Sequence, residues 1–232
     1  MPIEADIGEA YREYLTHGQD ARPPLSGKAH VGCGSDDGLR LMSTLGWKVE
    51  GVEVDPAAIA TARSKGLVIH SGTLADRRFP DNTFDAVTMS HVIEHIHDPV
   101  ALISECGRIL KPAGMLVIMT PNAHSLGHSF YGSNWVALEP PRHLHTFTPW
   151  ALQEATRTAG LAVVDVTSTI RGAEWMVLAS QRIGRTGRGA DLGGNLRVRR
   201  RWARGVQAIE ALALRFDDTV GEEVVLKARK NG

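Results

Sequence analysis

The segment HVGCGSDDG, residues 30–38, combines three closely spaced glycines with two adjacent aspartates. Glycines in such a loop allow the backbone to approach a nucleotide closely. The spacing does not fit the dinucleotide-binding fingerprint G-x-G-x-x-G, because the sixth position is Asp37 rather than glycine. No Gly-Lys-Ser/Thr follows, and the carboxylates of Asp36 and Asp37 would repel a pyrophosphate. The loop therefore favours a nucleotide-like ligand without phosphates.

Glu53 stands 19 residues after Gly34, at the end of the next apolar segment. A carboxylate at that place can accept hydrogen bonds from both hydroxyls of a ribose. A lone glutamate at a strand end is equally often a solvated acid, but the distance from the glycine loop favours the ribose contact. Adenosine with a positive centre and no phosphate describes S-adenosyl-L-methionine, whose sulfonium and amino groups would suit Asp36 or Asp37. We therefore predict this cofactor.

A parallel sheet is needed to position these residues, and the sequence predicts one. Short apolar strands alternate with helices of about ten residues from Lys28 onwards, as in βαβ units. Right-handed crossovers then give a doubly wound sheet whose ligands lie beyond the carboxyl ends of the strands. The predicted strands cover 28–32, 47–55, 67–72, 84–90 and 115–122, and the predicted helices cover 37–46, 56–66 and 98–110.

The composition is that of an ordinary globular protein, with 43% apolar residues, 22% charged residues and a formal net charge of zero. No global charge therefore points to nucleic acid or to a membrane. The chain has two cysteines, no apolar run long enough to be a transmembrane segment, and no signal-peptide pattern at its start. We expect a cytoplasmic protein.

From about Gly27 to Gly160, the chain resembles a class I S-adenosylmethionine-dependent methyltransferase, of the group that includes the ubiquinone-biosynthesis O-methyltransferases. Four motifs in order carry the resemblance: VGCGS at 31–35, GVEVDP at 51–56, FPDNTFDAVTMSHVIEHIHDP at 79–99 and ILKPAGMLVIMTPN at 109–122. It implies an α/β fold with a doubly wound, seven-stranded, mostly parallel sheet and a helical insertion before the last strand. The expected regions are 1–26 (N-terminal helix and linker), 27–170 (Rossmann-like cofactor domain), 171–219 (basic helical insertion) and 220–232 (last strand).

The resemblance also implies a set of cofactor contacts. Gly32 and Gly34 would line the methionine tail, and Glu53 would hold the ribose. The remaining contacts would be Asp36 in the loop, Val54 against the adenine, Thr73 and Leu74 at the adenine edge, and Met89 and Ser90 beside the amino-acid part. The sequence departs from the family where His30 replaces an acid, Asp36 a glycine and Thr73 an aspartate. These departures keep open a second hypothesis, a non-catalytic binding module with the same fold.

The pentapeptide HVIEH at 91–95 matches the zinc-peptidase motif H-x-x-E-H. On a helix, His91 and His95 would share one face and could bind a metal, which gives a remote third hypothesis of a zinc-dependent hydrolase using His91, Glu94 and His95. The resembling ubiquinone-pathway enzymes can hold a divalent cation with Glu-x-x-Glu-His at this place, but here His91 replaces the first glutamate. The sequence therefore predicts no metal site, and internal hydrogen bonds for Glu94 and His95.

Residues 125–149 interrupt the alternating pattern with a long, aromatic-rich segment that we expect to be a loop closing an acceptor pocket. A histidine with a near-neutral pKa could remove a proton from a hydroxyl acceptor. His91 and His143 are the predicted catalytic bases. The predicted reaction is methyl transfer to a hydroxyl, or less readily an amine, of a small-molecule or carrier-bound acceptor.

Residues 171–205 contain nine arginines and two acids. The following helix, 197–216, carries an apolar stripe made of Val198, Trp202, Val206, Ile209, Ala213 and Phe216. The stripe can pack on the sheet domain with the arginines solvated, or the region can bind an anionic surface or partner. No RNA-binding signature accompanies the charge, so nucleic acid is the least favoured partner.

Overall fold

The computed structural model describes residues 27–34, 37–170, 173–187 and 196–232. For residues 37, 196–202 and 204 it describes the backbone but not the side chains. The predicted N-terminal helix at 3–16 and the predicted cofactor contact of Asp36 lie outside the described residues.

Seven strands form one sheet in the order β3-β2-β1-β4-β5-β7-β6. Their bounds are β1 Lys28–Val31, β2 Val49–Glu53, β3 Val68–Ser71, β4 Phe84–Ser90, β5 Leu110–Pro121, β6 Ala162–Thr169 and β7 Glu223–Arg229. The first five strands pair in parallel, whereas β7 runs antiparallel between β5 and β6. The predicted doubly wound, seven-stranded, mostly parallel sheet is confirmed.

The helices are α1 Asp37–Thr44, α2 Pro56–Ser64, α3 Leu74–Arg77, α4 Pro99–Ile109, α5 Leu126–Tyr131, α6 Pro149–Thr158, α7 Ala173–Thr186 and α8 Leu196–Ala213. Three of them begin in the same way, with proline in the first turn after a capping side chain. Asp55, Asp98 and Thr148 each accept a backbone N–H of the first turn. This order of cap and proline fixes the helix starts because proline needs no N–H partner there.

The main core lies between the sheet and α4 and α6, and alternate side chains of β1, β4, β5 and β7 fill it. Val87, Leu116 and Leu226 are fully buried in this core. Because neighbouring strands are parallel, the carboxyl ends of β1, β2, β4 and β5 meet at one edge of the sheet, which we call the crevice edge. The antiparallel β7 begins at this edge, since Glu223 lies opposite Pro121 of β5 and Thr169 of β6.

The segment 125–149 differs from the predicted loop. It contains α5 and two short 3-10 turns, Gly132–Asn134 and Val136–Leu138. Trp135 between these turns is 1% exposed, which anchors the segment to the body of the protein. The sequence suggested a loop because no apolar period long enough for a helix is present, and single turns are fixed by tertiary contacts instead.

The insertion between β6 and β7 is helical, as predicted, and consists of α7 and α8. Of the two alternatives for the apolar stripe, packing on the rest of the protein does not hold for Ile209 and Phe216 in its C-terminal half. Ile209 is 66% exposed and Phe216 is 86% exposed, while Ala203 and Val206 pack against Val177 and its neighbours in α7. No helix in the described part of the chain is long and apolar enough to cross a membrane.

Candidate functional site

The glycine loop follows β1 directly and turns at the crevice edge. Gly32 has a φ of +63°, and a Cβ there would lie 2.4 Å from Cγ2 of Val92, so any other residue would strain the backbone and would have to displace Val92. Gly34 has a φ of +53°, yet a Cβ there would meet nothing within 4 Å. The inner glycine is therefore required by packing, and the outer one leaves open space beside the backbone.

Glu53 ends β2 and organises this loop. One carboxylate oxygen accepts the N–H of Gly34 at 2.8 Å, and the other accepts the N–H groups of Val54 and Asp55 at 2.8 and 3.0 Å. A carboxylate has about four acceptor positions, so one remains for a ligand hydroxyl. The ribose contact of Glu53 stays a prediction, but the residue has a structural role that the sequence did not reveal.

The predicted adenine contacts fall into three different settings. The Val54 side chain is 64% exposed next to Glu53, where an apolar ring could cover it. Thr73 caps α3 through reciprocal hydrogen bonds with Asp76, a capping box that the spacing Thr-x-x-Asp signals in the sequence. Leu74 is 2% exposed and packs in the main core, which leaves only its backbone for a ligand.

The end of β4 presents Ser90, whereas Met89 points the other way. Met89 is 1% exposed and belongs to the main core, so its side chain is not at the crevice. His30 of β1 is buried, between two residues of the main core in sequence but not itself in that core, and its Nδ1 is 2.6 Å from Thr88 Oγ1. Burial and the charge of nearby Lys28 lower the pKa of His30 to about 3. A neutral imidazole thus replaces the acid of the family.

His91 follows β4 and lies between two acids. Its Nε2 is 2.9 Å from Glu223 Oε1, and its Nδ1 is 3.4 Å from Glu94 Oε1. Burial opposes protonation, but the hydrogen bonds and charges of Glu223 and Glu94 outweigh it and raise the pKa of His91 to about 10. The side chain is 41% exposed, so solvent screens part of this effect. A histidine that is already protonated cannot accept a proton, so the raised pKa disfavours a base role for His91 at neutral pH, and that role stays a prediction.

The HVIEH motif does not form the helix that a zinc peptidase requires. His91 has a φ of +53° and only Ile93–His95 form a 3-10 turn. His91 consequently faces Glu223, whereas the His95 ring packs against His143 with 4.7 Å between ring centroids. The zinc-hydrolase hypothesis fails on this geometry. The predicted internal hydrogen bonds are present, from Thr120 Oγ1 to Glu94 at 2.8 Å and from His95 Nδ1 to the Arg142 carbonyl at 2.9 Å.

Two residues of this turn, Glu94 and His95, converge with a third side chain, His143. One ligand atom of each lies within 4.8 Å of the others. Both histidines donate Nδ1–H to backbone carbonyls, His95 to Arg142 and His143 to Ala137 at 2.6 Å. This fixes the tautomer and leaves each Nε2 as an acceptor, which is how carbonyls orient metal-binding histidines. Among the described residues, this cluster fits a divalent cation, although the sequence predicted none.

His143 reaches the cluster because the segment after β5 is tied to the turn at 93–95. The N–H groups of Leu144 and His145 donate to the Glu94 carbonyl at 2.8 and 3.2 Å. Further back, Ala123 N–H donates to the Phe147 carbonyl at 2.8 Å and closes the segment at its base. His143 is 8% exposed and its Nε2 lies 3.5 Å from Glu139 Oε2. Backbone contacts thus bring His143 beside the turn at 93–95 that follows β4, and its catalytic role stays a prediction.

A buried acid pair behind this segment was not found from the sequence. Glu222 is fully buried just before β7, and it accepts Trp135 Nε1–H at 3.0 Å and Ser125 Oγ–H at 3.4 Å. Glu210 of α8 is 1% exposed beside it. Burial, together with a hydrogen bond and the charge of Glu222, raises the pKa of Glu210 to about 9. The sequence signal for this pair is weak. It consists of two adjacent acids, Glu222 and Glu223, at the start of an otherwise apolar strand.

Residues 30–166 match the family described as "Methyltransferase domain". A Mycolicibacterium smegmatis protein named "Probable S-adenosylmethionine-dependent methyltransferase" is 33% identical over 145 residues, which cover 62% of this chain and 54% of the relative. The "Ubiquinone biosynthesis O-methyltransferase" of Pseudomonas paraeruginosa is 32% identical over 165 residues, covering 63% of this chain and 70% of the relative. The chain thus spans little more than half the length of the first relative.

Solved structures share the fold. The crystal structure of a SAM-dependent methyltransferase from Archaeoglobus fulgidus superposes with a TM-score of 0.64 and covers 98% of this chain and 94% of that chain, at 18% sequence identity. At this identity the likeness shows the fold alone. The family match, however, extends over more than half of the sequence and includes the glycine loop and the end of β4. The chain therefore belongs to the methyltransferase domain family.

Proposed function

We propose that this protein transfers a methyl group from S-adenosyl-L-methionine, the cofactor of its family, to a hydroxyl of a small-molecule or carrier-bound acceptor. The observation that carries the proposal is the arrangement of Glu53, Gly34 and Val54 at the ends of β1 and β2. A carboxylate with acceptor capacity to spare, an open glycine and an exposed apolar side chain stand side by side there. These are the contacts that a ribose, an amino-acid tail and an adenine need.

When bound, the cofactor supplies an electrophilic methyl on its sulfonium. The protein's own contribution is to hold donor and acceptor in line, which can account for most of the rate. A hydroxyl acceptor must also lose its proton. His143 is the proposed proton acceptor, because its Nδ1–H is held by the Ala137 carbonyl and its Nε2 is the accepting nitrogen. A divalent cation at Glu94, His95 and His143 would occupy the same nitrogen and would act on the hydroxyl as a Lewis acid instead.

The names of several relatives favour a hydroxyl acceptor over an amine, since they are ubiquinone-biosynthesis O-methyltransferases. The two cysteines, both buried and unbridged, fit the proposed cytoplasmic location. The rival hypothesis is a binding module that holds the cofactor without turnover.

Calorimetry tests cofactor binding with a matched pair of variants. Gly34 and Gly46 both have positive φ and open space at Cβ, so valine strains both backbones alike. We expect Gly34→Val to weaken binding of S-adenosylmethionine by about tenfold or more, because only this side chain would fill the ligand's space. Gly46→Val at the end of α1 should bind as the parent does. Tighter binding of NAD than of S-adenosylmethionine, or equal binding by both variants, would overturn the assignment.

Turnover is tested separately with the methyl-labelled cofactor and metabolite extracts. A labelled product that carries the methyl on oxygen supports the proposed reaction. Cofactor binding without any labelled product would support the binding module. A label on nitrogen would retain the enzyme and correct the acceptor class.

A further inference from the structure

Helix α8 has two apolar faces, and only one of them is covered. Ala203, Val206 and Glu210 lie on the face that packs against α7 and the start of β7. Ile209 and Leu212 lie on another face of α8, and Phe216 follows in the turn just after the helix ends at Ala213; the three residues are 66%, 56% and 86% exposed. Side chains this exposed protrude from the surface and do not line a groove. They form a ridge, which we call the α8 ridge.

The charge of the same segment has one sign. Residues 196–216 contain six arginines and a single acid, Glu210. Glu210 is buried, and burial beside Glu222 keeps it protonated at neutral pH. At neutral pH the sequence of this segment therefore carries positive charge only. The next acids, Asp217 and Asp218, come after the ridge, and Asp217 accepts hydrogen bonds from Thr219.

We propose that the α8 ridge inserts into the surface of a membrane that contains anionic lipids, with the arginines of the same helix on the headgroups. Protruding Phe, Leu and Ile on a helix rich in arginine are what an interfacial helix uses, because apolar burial and attraction to anionic lipid add together. A protein partner would need acidic side chains placed at defined positions around the ridge. A layer of anionic headgroups provides negative charge on every side of an inserted ridge, whatever its orientation. The inference is independent of the reaction, since the ridge lies outside the residues that match the family.

Vesicle co-sedimentation of the full chain tests this surface. We expect binding to phosphatidylcholine vesicles with about 30% phosphatidylserine to be tighter than binding to pure phosphatidylcholine by about tenfold or more. Raising the salt from about 50 mM to about 500 mM should remove most of this preference, because exposed charges are screened. The change Ile209→Ser/Leu212→Ser/Phe216→Ser should reduce binding by about tenfold or more, since these side chains supply the apolar contact.

A matched single pair controls for the loss of surface apolarity. Phe216→Ser removes a ridge side chain, whereas Phe130→Ser removes a side chain of α5 that is 71% exposed. We expect only Phe216→Ser to weaken vesicle binding, and both variants to bind S-adenosylmethionine as the parent does. The proposal is overturned if the parent ignores anionic vesicles at low salt, or if Phe216→Ser and Phe130→Ser bind equally. It is also overturned if the parent is a dimer that the triple variant dissociates while vesicle binding is unchanged.

Discussion

Replacing Glu210 with glutamine should make the stability of this protein less dependent on pH. Glu210 and Glu222 are both buried, and Glu222 already accepts hydrogen bonds from Trp135 and Ser125. Burial, and then the nearby Glu222, raises the pKa of Glu210 to about 9, so Glu210 holds its proton at neutral pH.

The magnitude follows from linkage between folding and protonation. An unfolded glutamate titrates near pH 4.3, so between that pH and about 9 the folded protein binds one proton more than the unfolded chain. A raised folded-state pKa gives stability that is complete below the unfolded pKa and is lost as the pH rises through the folded pKa. The free energy of unfolding should fall by about 1.4 kcal/mol per pH unit in this window from this group alone. Between pH 6 and pH 8 that is about 3 kcal/mol, a large part of ordinary stability.

Urea unfolding at pH 6, 7 and 8 measures the slope directly. Glu210→Gln keeps the shape and can donate an amide N–H to Glu222, but it does not titrate. Its slope should be shallower than that of the parent by about 1.4 kcal/mol per pH unit, and the two curves should cross as the pH rises. Glu154→Gln is the control, because this carboxylate is 45% exposed and should leave the slope unchanged. Equal slopes for the parent and Glu210→Gln would refute the raised pKa of Glu210.

Two further predictions concern the crevice edge. Glu223→Gln should lower the pKa of His91, since it removes the strongest interaction that favours the charged ring, and a histidine NMR titration that gives His91 the same pKa in the parent and in the variant would contradict this. Mn²⁺ should bind at the cluster of Glu94, His95 and His143 and bind more tightly at pH 8 than at pH 6, because a proton and a cation compete for the same imidazole nitrogen. Paramagnetic resonance should show about tenfold weaker Mn²⁺ binding for His143→Phe but not for the control His145→Phe, and equal loss in both would exclude the cluster.

The sheet could be predicted from the sequence because each strand is marked by its own residues and by the turn residues next to it. Each of the predicted strands is a short apolar run between turn residues, and Phe84–Ser90 matches the prediction residue for residue. The glycine loop and Glu53 were found because family spacing places them at strand ends. What Glu53 bonds to was not readable, since its partners are backbone N–H groups that no sequence pattern marks.

The states of the titratable groups could not be predicted, because their partners are distant in the chain. His91 is charged through Glu223, which arrives on a strand that follows the whole insertion. Glu210 is protonated because burial, and then the nearby Glu222, raises its pKa, and no sequence pattern marks that burial. Periodicity also misled the packing of α8. Periodicity identifies the apolar positions of a helix but not the neighbour that covers each face. Val206 faces α7 and is packed, whereas Ile209 lies on a face that α7 does not cover and is exposed.

The helical insertion begins after Thr169 of β6 and ends before Glu223 of β7, and these two residues lie opposite each other in the sheet. The length of the insertion can therefore vary without a change in the distance between its ends. Ser168, near the end of β6, accepts the N–H of Gly221 at 2.8 Å, and a Cβ on Gly221 would lie 2.8 Å from the Thr169 backbone. The entropy of closing such a loop rises only slowly with its length, by about 0.6 kcal/mol per doubling. Shorter or longer segments could therefore be grafted between Thr169 and Gly221 while the sheet register is kept. A grafted segment would change the surface of the protein beside the crevice edge, but it would also have to cover Glu222, which is now fully buried beside Glu210 of α8.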